Sequence, residues 1–145
     1  MKVLLDANIL ISMLLAKSTE SPIVTIAHAL SIGLFTPVVS EVTIEELANS
    51  IERKPYLSSR ITPDMVDDLV GILKQANGTE PAISATTELL LRDAKDDYLI
   101  VTARAHKVDI IVSGDDDVLA HAGNEAFAIL SPPAFVAALK ELAGE

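Results

Sequence analysis

The sequence predicts an α/β fold on a mainly parallel sheet, and three observations predict it. Short continuous apolar runs, Val3-Leu4-Leu5 and Ile110-Ile111-Val112 most clearly, read as strands buried on both faces. Stretches with apolar residues at helical spacing alternate with those runs. Two of the runs end in acids, Asp6 and Gly114-Asp115, at the point where such sheets place their chemistry.

Taken in order, Lys2 to Asp6 is the first strand, and Asn8 to Ala16 a short helix with Ile9, Leu10, Met13 and Leu14 to one side. Lys17 to Ser21 is polar. Ser21 is the expected N-cap of a second helix that opens at Pro22, runs to about Ile32 and stops at Gly33. Leu34 to Val39 is the second strand, and Pro37 marks it as an edge or distorted one. Ser40 caps a third helix, with Thr43 as an alternative start, and Ile44, Leu47, Ala48 and Ile51 share its apolar face. Tyr56 to Ile61 reads as a connector. Thr62-Pro63-Asp64 opens a fourth helix with Met65, Leu69, Ile72 and Leu73 as its stripe, and Asn77-Gly78 ends it.

Pro81 to Thr87 fits either a short strand or an extended loop. Asp96 or Asp97 begins a fifth helix that reaches about His106. Val108 to Ser113 is a strand, Gly114 to Asp117 the loop at its carboxyl end, and Val118 to Ala122 one helical turn. Ala126 to Leu130 is the last strand, and Ser131-Pro132-Pro133 opens a terminal helix with Phe135, Val136, Leu139 and Leu142.

The chain of 145 residues suits a single domain, residues 1–145. With 50% hydrophobic residues it can bury a core, and no apolar run approaches the roughly 18 residues of a membrane span. Asp6 and Asn8 interrupt the first apolar run, which argues against a signal peptide and for a cytoplasmic protein. The absence of Cys excludes disulfides and thiolate metal sites. A formal net charge of −10 argues against a strongly basic nucleic-acid surface. It leaves room for a nuclease, because an acidic cluster is repulsive when empty and favourable once it holds a cation. No phosphate-cradling GxxxxGK[ST] or GxGxxG stretch is present.

The acids form one candidate constellation. Asp6 and Asp115 follow strands. Asp97 lies in the first turn of a helix that is apolar nearly all round, on the face of Ile100, Val101 and Arg104. Glu45 or Glu46, on the third helix, would complete a ring of four; helical spacing does not choose between them. Carboxylates gathered together need protons or a metal to tolerate one another, and all-oxygen ligands favour Mg²⁺ or Mn²⁺. Phosphodiester hydrolysis, with water activated by the metal, is the chemistry that uses such a site.

The stretches Asp6-Ala7-Asn8, Glu46-Leu47, Arg92-Asp93-Ala94-Lys95-Asp96-Asp97 and Val112-Ser113-Gly114-Asp115-Asp116-Asp117 resemble PIN domains, and among them the small prokaryotic VapC-like toxins of toxin–antitoxin pairs. The resemblance implies a three-layer Rossmann-like domain and a Mg²⁺- or Mn²⁺-dependent ribonuclease. It places metal binding and catalysis on Asp6, Glu46, Asp97 and Asp115, with Asp117 as an accessory ligand and Asn8 and Ser113 as braces. A homodimer and a small antitoxin partner are further implications. Ala94 stands where this group often has Pro.

Simpler roles compete at each position. Asp6 would serve as a helix cap, and either glutamate as a solvated helix charge. Asp96 is the better N-cap and Asp97 the better ligand. In an extended loop Asp115 and Asp117 point the same way and Asp116 faces solvent. Arg53, Lys54 and Arg60, with Tyr56, form a basic-aromatic cluster that suits RNA phosphates as well as a solvated helix end, and Lys95 is a further candidate RNA contact. Two rival functions are an RNA- or antitoxin-binding module that cleaves poorly, and an Asp-dependent phosphoryl-transfer or receiver domain. The second lacks the acidic pair that it needs near the first strand.

Overall fold

A computed structural model describes residues 1–16, 21–76, 98–123 and 125–142, and the backbone of 79–80. Among the described residues, five strands, β1 (Lys2–Leu5), β2 (Thr36–Ser40), β3 (Thr79–Glu80), β4 (Ile110–Val112) and β5 (Ala128–Leu130), form one sheet in the order β3-β2-β1-β4-β5. Every pairing is parallel, with Val3 opposite Pro37 on one side and Ile110 on the other. The helices are α1 (Ala7–Leu15), α2 (Pro22–Ser31), α3 (Glu41–Arg53), α4 (Pro55–Ser58), α5 (Pro63–Gln75), α6 (Tyr98–His106), α7 (Asp116–Leu119) and α8 (Pro132–Leu142).

Side chains alternate across a strand, so each continuous apolar run feeds two cores. Val3, Leu5, Val39, Ile110 and Val112 face one core, which Leu10, Ile26, Leu47, Leu73 and Phe135 complete from α1, α2, α3, α5 and α8. Leu4, Val38, Ile111 and Ile129 face the other, which Leu99, Ile100 and Ala103 of α6 cover together with Val118 and Phe127. The result is three layers with β1 in the middle of the sheet. Among the described residues no helix is long and apolar enough to cross a membrane.

The caps follow the sequence closely. Ser21, Ser40 and Thr62 each accept a backbone N–H of the first turn, at 3.2 Å. At the end of α2, Gly33 takes φ 75°, while its N–H and that of Leu34 bond back to Leu30 and Ala29. This is the hydrogen-bond pattern of a Schellman stop.

Several expectations need correction. β2 is an interior strand rather than an edge. Thr36 donates to Met1, so the alternation turns Pro37 away from β1. On that outer side β3 meets β2 only at Val39 and Ser40, past the missing N–H. The expected connector Tyr56 to Ile61 contains most of α4, which starts at Pro55. The turn after β4 starts at Asp116, earlier than the expected Val118, because Asp115 caps it. Strands β4 and β5 are shorter than the expected spans Val108 to Ser113 and Ala126 to Leu130. Residues 81–97 lie outside the described residues, and with them Asp97, Asp96, Lys95, Asp93 and the segment Pro81 to Thr87.

Candidate active site at the carboxyl edge of the sheet

Three adjacent strands, β2, β1 and β4, bring side chains to one edge. At the end of β1, Asp6 is buried, at 7% exposure. It is both a helix cap and a candidate ligand: one oxygen, Oδ1, accepts the Asn8 N–H of α1 at 3.4 Å, and Oδ2 accepts the Ser113 hydroxyl at 2.8 Å. Asn8 therefore touches Asp6 through its backbone, and its side chain is exposed.

Ser113 follows β4 and is fully buried. Its Oγ donates to Asp6 and accepts the Asp115 N–H at 3.0 Å, so one hydroxyl ties the end of β1 to the loop after β4. Asp115 is exposed, and its Oδ1 accepts the Asp117 N–H at 2.9 Å. The loop thus turns into a helix immediately. The expectation that extended-chain alternation aligns Asp115 with Asp117 does not hold, and Asp115, Asp116 and Asp117 are all exposed.

From β2 and α3 comes a hydroxyl ladder. Ser40 and Thr43 are buried with their oxygens 3.1 Å apart, and Thr43 Oγ1 lies 3.2 Å from the Tyr98 hydroxyl of α6. Tyr98 donates to Glu46 Oε2 at 3.1 Å. Glu46, not Glu45, is the glutamate that meets this ladder. Burial pushes the Tyr98 phenol well above its usual range, helped by the charges of Glu46 and Asp6 and opposed by the Thr43 hydrogen bond.

Tyr98 is the residue that sequence reasoning missed. The available signal was its position at the start of an apolar helix, directly after Asp97, where a Tyr brings a polar tip into a buried setting.

The described residues contain no group of three or more Asp, Glu or His close enough together to hold a metal ion; Asp97 lies outside them. The side chains gathered here carry hard oxygens, and two of the carboxylates act on the half-buried phenol of Tyr98. That donor set and that negative field suit a hard divalent cation.

The basic cluster sits elsewhere. Arg60 stacks over the Tyr56 ring, 3.9 Å from its centroid, and Arg53 Nε donates to the Asn49 carbonyl of its own helix at 3.3 Å. Tyr56, Arg60, Leu14, Leu15, Ala16 and Met65 line a hollow of about 500 Å³ by the far end of α1. Lys54 is exposed. Arg104, which spacing puts on the face of Asp97, forms a two-pronged pair with Glu125 at 2.6 and 2.7 Å.

Comparison with known proteins adds one finding. A family model described as PIN domain matches residues 2–117. No curated protein and no solved structure matches the chain. The matched span holds β1 to β4 and every residue of the carboxylate edge described above. With four-fifths of its length covered by that model, the chain belongs to the PIN-domain family, a family of nuclease type.

Proposed function

We propose that this protein is a Mg²⁺- or Mn²⁺-dependent endoribonuclease and the toxin component of a toxin–antitoxin pair. The observation that carries the reading is the buried Asp6 at the end of the central strand, bridged by Ser113 to the β4 loop. In a chain of the PIN-domain family, a charge so placed has a reason to be there. Asp6, Glu46, Asp97 and Asp115 would hold the cation, with Asp117 as an accessory.

A bound divalent cation would supply activation of water and neutralisation of phosphate charge. The chain's own part is to fix the donors. Ser113 orients Asp6 through Oδ2, Tyr98 orients Glu46, and the turn at Asp115 keeps the β4 loop tight against the edge. No side chain is needed as a covalent nucleophile. Arg53, Lys54, Arg60 and Lys95 are the proposed contacts to RNA phosphates, and the exposed Tyr56–Arg60 stack gives that group a face on which a base can lie. Exposed apolar side chains at Ile32, Leu34 and Ile72 support a homodimer or a bound antitoxin.

The test is Mn²⁺ calorimetry and RNA cleavage on the wild type and on Asp6→Asn/Asp97→Asn. Binding and cleavage by the wild type alone supports the nuclease; equal, weak binding and no cleavage by either protein rejects it. A matched DNA substrate distinguishes the two nucleic acids. Growth arrest on expression, relieved by a co-expressed partner, tests the toxin role.

One observation favours a second reading, a binding module that cleaves poorly: Asp115 is exposed and its carboxylate is engaged in capping its own helical turn. Tight RNA binding without turnover in Mn²⁺ would select it.

A further inference from the structure

We infer that Tyr98 is a positioning residue for Glu46, the last member of a one-directional hydroxyl chain that fixes how this carboxylate faces the cation. The inference rests on the metal-dependent reading above and goes beyond it, since it assigns a role to Tyr98, Thr43 and Ser40.

The direction follows from counting protons. Each hydroxyl has one hydrogen to give. Tyr98 gives its hydrogen to Glu46 Oε2, at 3.1 Å, because an ionised carboxylate can only accept. The contact between Thr43 Oγ1 and Tyr98, at 3.2 Å, then has Thr43 as donor. Thr43 has no second hydrogen, so Ser40 is the donor across the 3.1 Å contact to Thr43 Oγ1. Ser40 Oγ in turn accepts the backbone N–H of Thr43 at 3.2 Å. Every link points towards Glu46, and links aligned in this way polarise and strengthen one another.

The placement is specific. Ser40 and Thr43 are buried to 1% and 0% exposure, so their hydroxyls do not exchange this partnership for water. Tyr98 comes from α6, on the far side of the sheet edge, and spans 52 residues to reach Glu46. Glu46 itself is exposed and would otherwise sample many rotamers. Holding it in one of them lowers the ordering cost of binding a cation.

The test uses the full chain and Mn²⁺ alone as the probe, followed by RNA cleavage. Tyr98→Phe keeps the ring and removes the donor; it should weaken Mn²⁺ binding by about 10-fold. Thr43→Val, which breaks the chain one step back, should weaken it by less, and Thr43→Ser should restore it. In a Glu46→Gln background, Tyr98→Phe should have no further effect on Mn²⁺ affinity, because the group that it positions is gone. Thermal unfolding of each variant separates loss of fold from loss of position. A full 10-fold effect of Tyr98→Phe persisting in Glu46→Gln, or wild-type affinity and cleavage in Tyr98→Phe, overturns the inference and leaves the nuclease intact. Absence of Mn²⁺ binding by the wild type is a different result, which removes the nuclease reading and this inference with it.

Discussion

Asp6 serves the fold and the candidate site at once. It is 7% exposed at the end of the central strand, and its two oxygens accept the Asn8 N–H and the Ser113 hydroxyl. Asp6→Asn removes the charge and offers one acceptor oxygen in place of two, so either the Asn8 N–H or the Ser113 hydroxyl loses its partner. Urea unfolding of the metal-free protein should therefore show this variant less stable by about 1 kcal/mol, while calorimetry shows its Mn²⁺ binding lost. Tyr98 gives a second prediction. Its phenol ionises above the ordinary value of about 10 in the folded chain. Between that value and the folded one the unfolded chain has released the proton and the native chain has not. The native state then binds more protons, so stability falls as pH rises through this range. Below pH 10 the contribution is fully present. Metal-free wild type should lose stability above pH 10 more steeply than Tyr98→Phe, measured by urea midpoints across the series.

At the scale of elements, the sequence marked what periodicity and caps can mark. Val3 to Leu5 and Ile110 to Val112 are strands because both their faces are covered, and Ser21, Ser40 and Thr62 cap because each can accept a first-turn N–H. Pro37 read as an edge because its missing N–H is local, whereas the length of the neighbouring strand is not. The helical turn at Pro55 escaped because four residues show no period. Glu45 and Glu46 could not be separated from the apolar positions alone. Thr43, buried to 0% exposure, supplies the missing bearing. With roughly 100° per residue, Thr43 and Leu47 define the inward line of α3, Glu46 flanks it and Glu45 lies opposite. A hydroxyl residue counted as polar was in fact core, and its reason is a partner from a helix 55 residues away.

At the scale of the molecule, the family match ends at residue 117, but the fold does not. β5 pairs in parallel with β4, and α8 places Phe135 and Leu139 in the same core as Leu5, Ile26 and Phe35. Phe135 is fully buried and meets Phe35 edge to face, with centroids 5.3 Å apart at 77°. Phe135→Ala should cost about 3–5 kcal/mol in urea unfolding. A cost under 1 kcal/mol would mean that α8 is an appendage.

The opposite end of β1 has its own fastening. The Lys2 N–H donates to Asp109 Oδ2 at 2.8 Å, and its Nζ donates to the His106 carbonyl at 2.9 Å. Because the strand is extended, this clamp and Asp6 stand at opposite rims of the sheet. A surface tether or a fluorophore attached ahead of Lys2 would thus leave the carboxylate rim facing free solution. Immobilised protein could then be washed with successive RNAs and cations without the attachment shielding the edge under study.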